Sequence, residues 1–461
     1  MSDLQPTRTF ASLGVPAPIV SALAAGGITA PFPIQAITLT DSLAGRDLLG
    51  RGKTGSGKTI AFAIPLVTAL AKSDERTRQG SPRGLVLVPT RELANQVAAT
   101  IAPLAKAMGL RHTVIYGGVG FGNQTAALKS GVDIVIACPG RLEDLIGQGH
   151  CRLDRVQVTV LDEADHMADM GFLPGVKRIM DRTPSDGQRL LFSATLDNDV
   201  KVLIDRYLHS PVNHALDPVD SPVEAMTHHQ VETSMGDKLA VVTRLAAGPD
   251  RSLLFTRTKH GAKKLVQQLG KSGIPAVELH GNLSQNARER NLADFSSGQV
   301  KVLVATDIAA RGIHVDDVRL VVHVDPPAEH KAFLHRSGRT ARAGAEGLVV
   351  TVVTPEQRKD VRSMTRAAGI KPIVTEAVHG KHPLLESLAG PAQPPRTIAQ
   401  ITHIAQHGRP RQTHQQPARS GGAAGRPQGR PGAAAGRPAG VGARPAGPAG
   451  RRRQQSGQRA H

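Results

Sequence analysis

The chain has 461 residues, 40% of them hydrophobic and 21% charged, which supplies cores for two or three domains rather than one. Its formal charge of +19 is unevenly placed: residues 391–461 hold twelve arginines and no Lys, Asp or Glu, so they carry +12 and the rest of the chain +7. Two cysteines, Cys138 and Cys151, exclude a disulfide framework and a four-cysteine zinc site. They suit a reducing cytoplasm, and neither a basic-then-apolar leader nor a membrane-length apolar run is visible.

Along the chain, short β-rich runs alternate with Ala-rich helical stretches, the pattern of parallel α/β sheets. In the first half the expected strands are 47–50, 85–89, 113–116, 133–137, 156–161 and 190–193. In the second half they are 252–256, 276–279, 301–305, 320–324 and 348–353. Between the sets, the Pro- and Asp-rich stretch 211–222 reads as a break. The expected organisation is a first domain over 1–213, a linker at 214–223, a second domain over 224–385, and a tail over 386–461. That tail is built from Arg, Gly, Pro, Ala and Gln, with Gly-Arg-Pro recurring at Gly425, Gly429 and Gly436. Such a composition cannot bury enough apolar surface to offset its ordering entropy, so it reads as disordered, and its charge suits a polyanion.

The run from Gly52 to Thr59, with Lys53, Thr54, Gly55, Ser56, Gly57 and Lys58 between, has the spacing of a phosphate-binding loop. It follows an expected strand and opens an expected helix, so its backbone N–H groups would wrap phosphates beside a helix N-terminus. Lys58 would reach the β- and γ-phosphates of a nucleoside triphosphate, and Thr59 would ligate Mg²⁺. About a hundred residues on, Asp162, Glu163 and Asp165 follow the apolar run 156–161. Asp162 would hold the Mg²⁺ and Glu163 would polarise a water against the γ-phosphate. Acids also stabilise any helix N-terminus, but that does not account for their place directly after a buried strand.

With Asp162-Glu163-Ala164-Asp165 in place, the chain resembles the bacterial type of DEAD-box ATP-dependent RNA helicases over roughly residues 8–370. The resemblance implies two tandem RecA-like α/β domains with a cleft between them, and RNA-dependent ATP hydrolysis that locally unwinds RNA. Phe10 and the segment from Gly27 to Gln35 resemble the adenine motif, in which Gln35 would read N6 and N7 and Phe10 would stack on the ring. Phe32 stands where the family has Thr or Ser. Pro89-Thr90-Arg91, Gly118 and Pro139-Gly140-Arg141 match RNA-backbone motifs, with Cys138 in place of a Thr.

Ser193 and Thr195 match the coupling motif, whose hydroxyls are expected on Asp162 and Asp165. In the second domain, Arg257, Gln285, Arg288, Thr306 and Gly312 match RNA contacts, and Asp307 a nucleotide contact. His314 replaces an Asp of the family pattern. His335, Arg339 and Arg342 match the motif that supplies coupling and arginine fingers. Contacts of this kind grip sugar and phosphate and carry no sequence readout. With no Trp, two Tyr and nine Phe, there is little on which to stack bases. Two other readings remain: a DNA-directed helicase, and an RNA chaperone working through the basic tail. A monomer, no membrane, and partners in ribosome assembly or RNA decay complete the expectations.

Overall fold

The computed structural model describes residues 8–52, 55–215, 226–310, 317–341 and 346–397. Uninterrupted apolar runs become interior strands because both faces of a parallel sheet are covered by helices. The first sheet contains β1 (Leu48–Arg51), β2 (Gly84–Leu87), β3 (His112–Ile115), β4 (Ile134–Ala137), β5 (Val158–Asp162), β6 (Gln188–Ser193) and β7 (Val212–Ala215), in the order β3-β4-β2-β5-β6-β1-β7. The second contains β8 (Met226–Glu232), β9 (Arg251–Phe255), β10 (Ala276–Leu279), β11 (Val302–Ala305), β12 (Val318–His323), β13 (Gly347–Val353) and β14 (Ile373–Thr375), in the order β10-β11-β9-β12-β13-β8-β14. Every pairing within both sheets is parallel.

Four helices matter most for the site: α1 (Ala17–Ala25), α2 (Pro33–Leu43), α3 (Lys58–Lys72) and α4 (Arg91–Ala107). Helix α3 is apolar nearly all round. Phe62 on it meets Phe192 of β6 at 5.6 Å between ring centroids, which anchors the phosphate-loop helix to the sheet.

Three strands depart from the pattern read from sequence. β7 occupies part of the expected linker and pairs with β1, at a sheet edge where its residues alternate between half-buried and exposed. The rest of that linker, 216–223, lies outside the described residues. β8, sequence Met-Thr-His-His-Gln-Val-Glu, reads as polar, yet it lies between β13 and β14. Part of its polarity is met locally: Gln230 Nε2 donates to Glu232 Oε1 at 2.8 Å, and the His228 ring stacks on Phe333 at 5.7 Å. β14 is a three-residue edge strand too short to show periodicity.

Order also extends beyond 385. A helix spans Pro383–Ala389, and the following chain continues to hydrogen-bond, Gln393 N to Ala247 O and Arg396 N to Gly273 O. The remainder of the expected tail, 398–461, lies outside the described residues.

At the amino-terminal edge of the first sheet, a buried ion pair joins Arg83 to Asp133, Nη2 to Oδ1 at 2.7 Å. Arg111 N donates to Asp133 Oδ2 at 2.9 Å, and Thr77 Oγ1 donates to Oδ1. Burial pushes the Asp133 carboxyl up, but these donors and the Arg83 charge outweigh it and hold the group below the usual range. Its folded value is thus depressed, so its stabilisation is present above the ordinary carboxylate range and is lost as pH falls through the folded value. Asp133→Asn strands a buried guanidinium and should destabilise the first domain by about 3–5 kcal/mol at neutral pH. Chemical denaturation should also show a flatter stability profile than wild type on the acid side.

Candidate functional site

The phosphate loop leaves β1 and ends at Gly57, which caps α3 at φ +92°. A Cβ there would lie 2.6 Å from Gln35 Nε2 and 2.7 Å from the Phe32 ring, so the position takes only glycine. Gln35 ties this turn to the start of α2: its Oε1 accepts from Phe32 N at 2.9 Å and its Nε2 donates to Gly57 O at 3.0 Å. The amide is thereby oriented beside the loop, with one N–H still to give. Phe10, expected to stack on adenine, is instead 2% exposed within the apolar core. It packs with Val15, Ile19 and Leu23 because α1 folds over it. Phe32 is the aromatic left open here, 52% exposed. Lys53 and Thr54 lie outside the described residues; Gly55 and Ser56 follow in the turn, and Thr59 is in the first turn of α3.

Lys58 is buried, and its Nζ donates to Gly52 O at 2.9 Å and meets Glu163 Oε1 at 3.3 Å. Burial works to lower its pKa, but Glu163, Asp162 and Asp165 together raise it, so the ammonium stays charged. Glu163 adopts a left-handed φ of 54°, an uncommon conformation for a residue with a Cβ. Its carboxyl is held well below the usual range: burial pushes it up, but Lys58 and His166 dominate. The second oxygen, Oε2, lies 2.9 Å from His166 Nδ1.

Asp162 ends β5 with Oδ1 buried and without a hydrogen-bond partner among the described residues. Burial, and then the Glu163 charge, push its carboxyl up to about 7. Such an orphaned hard oxygen is suited to a Mg²⁺-type cation. Glu163, Asp165 and His166 also bring ligand atoms within 4.8 Å of one another, but they are already partners of each other and of neighbouring groups. Asp165 Oδ2 accepts from Thr195 N at 2.9 Å and from Thr195 Oγ1 at 3.0 Å. Ser193 Oγ accepts from Asp165 N at 3.3 Å and donates to Thr195 O at 2.8 Å. Among the described residues the coupling hydroxyls therefore meet Asp165 and not Asp162. The one expected on Asp162 is absent because Ser193 Oγ faces the backbone one turn further on.

In the second domain, the helix His330–Ser337 presents His335, and Arg339 follows it, buried, with Nε donating to His335 O at 3.3 Å. Asp307, expected at the nucleotide, is gripped by Arg336 through both its oxygens, Nη2 to Oδ2 at 2.7 Å. Arg336 also donates to Asp325 O at 2.7 Å and lies 5.0 Å over the Phe255 ring. A pocket lined by Phe255, Asp307, His335, Arg336 and Arg339 opens at this edge. Gly312, His314 and Arg342 lie outside the described residues.

The two domains meet through polar pairs. His166 Nε2 lies 3.2 Å from His335 Nδ1, Lys331 Nζ donates to Asp197 Oδ2 at 2.6 Å, and Arg288 Nε donates to Glu92 Oε1 at 2.7 Å. Arg91 Nη1 donates to Gln285 Oε1 at 3.3 Å. On the same side, a Cβ on Gly118, at φ +78°, would lie 2.1 Å from the Arg91 guanidinium, so the two lie in direct contact. Thr90 caps α4, its Oγ1 accepting from Leu93 N at 3.3 Å, directly after Pro89. Arg141 donates twice to Val119 O at 3.0 Å and covers the Phe121 ring. Pro139 and Gly140 form the first turn of a helix that Cys138 leaves without a side-chain cap. Burial pushes the Cys138 thiol up to about 12, which keeps it a thiol. Arg257 turns toward Asp325 and Pro326, and Thr306 opens the short helix at Asp307. Sequence reasoning missed His166, Arg336 and Lys331; of these, only His166 carried a local signal, three residues after Glu163 on one helix face.

The DEAD/DEAH box helicase family model matches residues 32–203, and the helicase conserved C-terminal domain matches residues 237–344. A relative from Arabidopsis thaliana, DEAD-box ATP-dependent RNA helicase 20, is 35% identical over 395 residues, covering 85% of this chain and 78% of its own length. The chloroplastic DEAD-box ATP-dependent RNA helicase 3A of Zea mays is 42% identical over 370 residues, 78% of this chain. The chain spans about half of that relative, 49%. Among solved structures, S. cerevisiae Dbp5 bound to RNA and ADP BeF3 matches with a TM-score of 0.72 at 26% identity, over 83% of this chain and 99% of that one. Mss116p bound to ssRNA and AMP-PNP matches with a TM-score of 0.70 at 26% identity, over 84% and 83%. Gln35→Ala would remove the bond between α2 and the loop together with the one that caps α2. It should weaken adenine nucleotides about tenfold and leave guanine nucleotides nearly unchanged, as read by fluorescent-nucleotide titration.

Proposed function

The chain belongs to the DEAD-box ATP-dependent RNA helicases, and from that premise we propose that it is an RNA-stimulated ATPase that locally unwinds or remodels RNA. The observation that carries the reading is the meeting of Lys58 and Glu163 from one domain with His335 from the other, His335 reaching the acids' helix through His166. Neither domain alone contains both sets of groups.

In the proposed reaction Lys58 passes from Glu163 to the β- and γ-phosphates, and Gln35 holds the adenine. Mg²⁺, held by Asp162 and Thr59, would neutralise phosphate charge. Glu163 takes a proton from water as the water oxygen bonds to the γ-phosphorus; the bridging P–O bond breaks and ADP leaves with the electron pair. Arg339, buried beside His335, offers its guanidinium to the charge that develops on the transferred group. Because it comes from the second domain, hydrolysis requires closure.

RNA is proposed to lie across both domains along Arg91, Gly118, Gly140 and Arg141 on one side and Arg257, Gln285 and Arg288 on the other. Backbone N–H groups and guanidinium groups favour phosphate oxygens over base edges, so binding should be indifferent to sequence. Arg91 and Gln285 now hold each other, and RNA would exchange that contact for its own. The arginines beyond residue 397 would add a counterion-releasing contact with the same polyanion.

Two experiments test the reading. Wild type should hydrolyse ATP with strong RNA stimulation, Glu163→Gln should abolish turnover, and Arg339→Ala should retain ATP binding while kcat falls about 10³-fold. A wild type indifferent to RNA, or a Glu163→Gln enzyme that still turns over, would refute it. Truncation after residue 397 should weaken RNA binding and reduce the slope of log affinity against log salt, with ATP hydrolysis by the core preserved.

A further inference from the structure

His166 lies outside every role so far assigned, yet it is the side chain in which the two halves of the site meet. It is 1% exposed, and each ring nitrogen has a polar atom facing it. Nδ1 faces Glu163 Oε2 at 2.9 Å, and Nε2 faces His335 Nδ1, across the domain boundary, at 3.2 Å. The two rings stand edge to face, 4.4 Å between centroids. His166 N also donates to Asp165 Oδ1 at 3.0 Å, which fixes the backbone from which the ring projects.

We infer that His166 is a positioning residue that aims the Glu163 carboxylate, and that the second domain acts on Glu163 through it. The inference rests on the proposed ATP hydrolysis at Glu163. Its logic lies in how the two carboxylate oxygens are divided: Oε1 is held by Lys58, and Oε2 lies against His166 Nδ1 at 2.9 Å. When Lys58 is drawn to phosphates, Oε1 is released to accept a proton from water. Oε2 stays on His166, so the carboxylate keeps its plane instead of rotating with its freed partner. A charged contact at this distance favours one orientation of the carboxylate over others.

The proton count supports the arrangement. A carboxylate accepts only, so Nδ1 of His166 carries a proton. The contact between Nε2 and His335 Nδ1 then has room for one proton, on either ring. With both rings doubly protonated, two donors would face each other at 3.2 Å without an acceptor. Burial, and then the charge of His166, push His335 down to about 4, so His335 remains the neutral partner near neutrality. Glu163, Asp165 and Asp169 face the pair from the first domain, Arg339 faces it from the second, and Lys58 lies beyond Glu163. When the domains part, His335 withdraws, Nε2 loses its partner and the ring is free to turn away from Oε2.

The test uses the full chain with saturating RNA and ATP at neutral pH, comparing wild type with His166→Ala and His166→Asn. An asparagine amide nitrogen occupies nearly the place of Nδ1 but cannot reach His335. His166→Ala should lower RNA-stimulated kcat about 10- to 100-fold, the scale of a misaimed catalytic group, with KM for ATP within about threefold. His166→Asn should regain part of that loss. Thermal melting establishes that each variant is folded. A wild type that turns over beside an unaffected His166→Ala overturns the inference alone. Loss of ATP binding in parallel with kcat in both variants overturns it too, in favour of a merely structural histidine. A wild type without RNA-stimulated turnover overturns the ATPase reading and this inference together.

Discussion

A buried ammonium facing a buried carboxylate is the interaction on which the rest of the site depends. Lys58 and Glu163 are each 5% exposed and 3.3 Å apart. Removing both charges from water carries a penalty that their attraction alone does not recover, so such a pair persists only where further bonds support it. Here the support is visible: Gly52 O accepts from Lys58, and His166 lies against the far oxygen of Glu163. Incoming phosphates would offer Lys58 a stronger partner. The pair is therefore both a placeholder for the nucleotide and a means of keeping two catalytic groups charged in a low-dielectric pocket.

Contacts between the two domains have a different character. They are hydrogen bonds and ion pairs: His166 with His335, Lys331 with Asp197, Arg288 with Glu92 and Arg91 with Gln285. The apolar clusters stay within each sheet and its helices. Polar interfaces of this kind release with little apolar exposure, so a hinged pair of rigid bodies can open and close at modest free-energy cost. Residues expected to hold RNA are among those bridging the cleft. Ligand binding and domain closure thus draw on the same side chains, which ties one to the other without a separate relay.

Two departures from the family pattern, Cys138 and Phe32, are accommodated by neighbouring groups. Cys138 stands where the family has Thr and gives no side-chain cap, while Pro139 at the first helical position leaves one fewer unpaired amide at this helix start. Phe32 replaces a hydroxyl residue, but Gln35 supplies the cap bond to Phe32 N. The cost appears as an exposed ring beside Gly57, the one large aromatic surface next to the phosphate loop among the described residues.

Local patterns determined most of what the chain can do. The spacing from Gly52 to Thr59 requires a strand before it and a helix after it, and the apolar run before Asp162 requires a buried strand, because both depend on neighbours a few residues away. Interior strands of both sheets were legible for the same reason. Long-range geometry decided the rest. Whether Phe10 faces a nucleotide or the core depends on where α1 lies; whether Ser193 meets Asp162 or Asp165 depends on the register of β6 against β5; and Asp307 belongs to Arg336 because a helix 29 residues downstream folds against it. β8 escaped notice because its polar side chains find partners only after β13, β14 and Phe333 surround them. Periodicity records which face of an element is buried, but not what lies opposite, and the partners of His166 are set by that opposition.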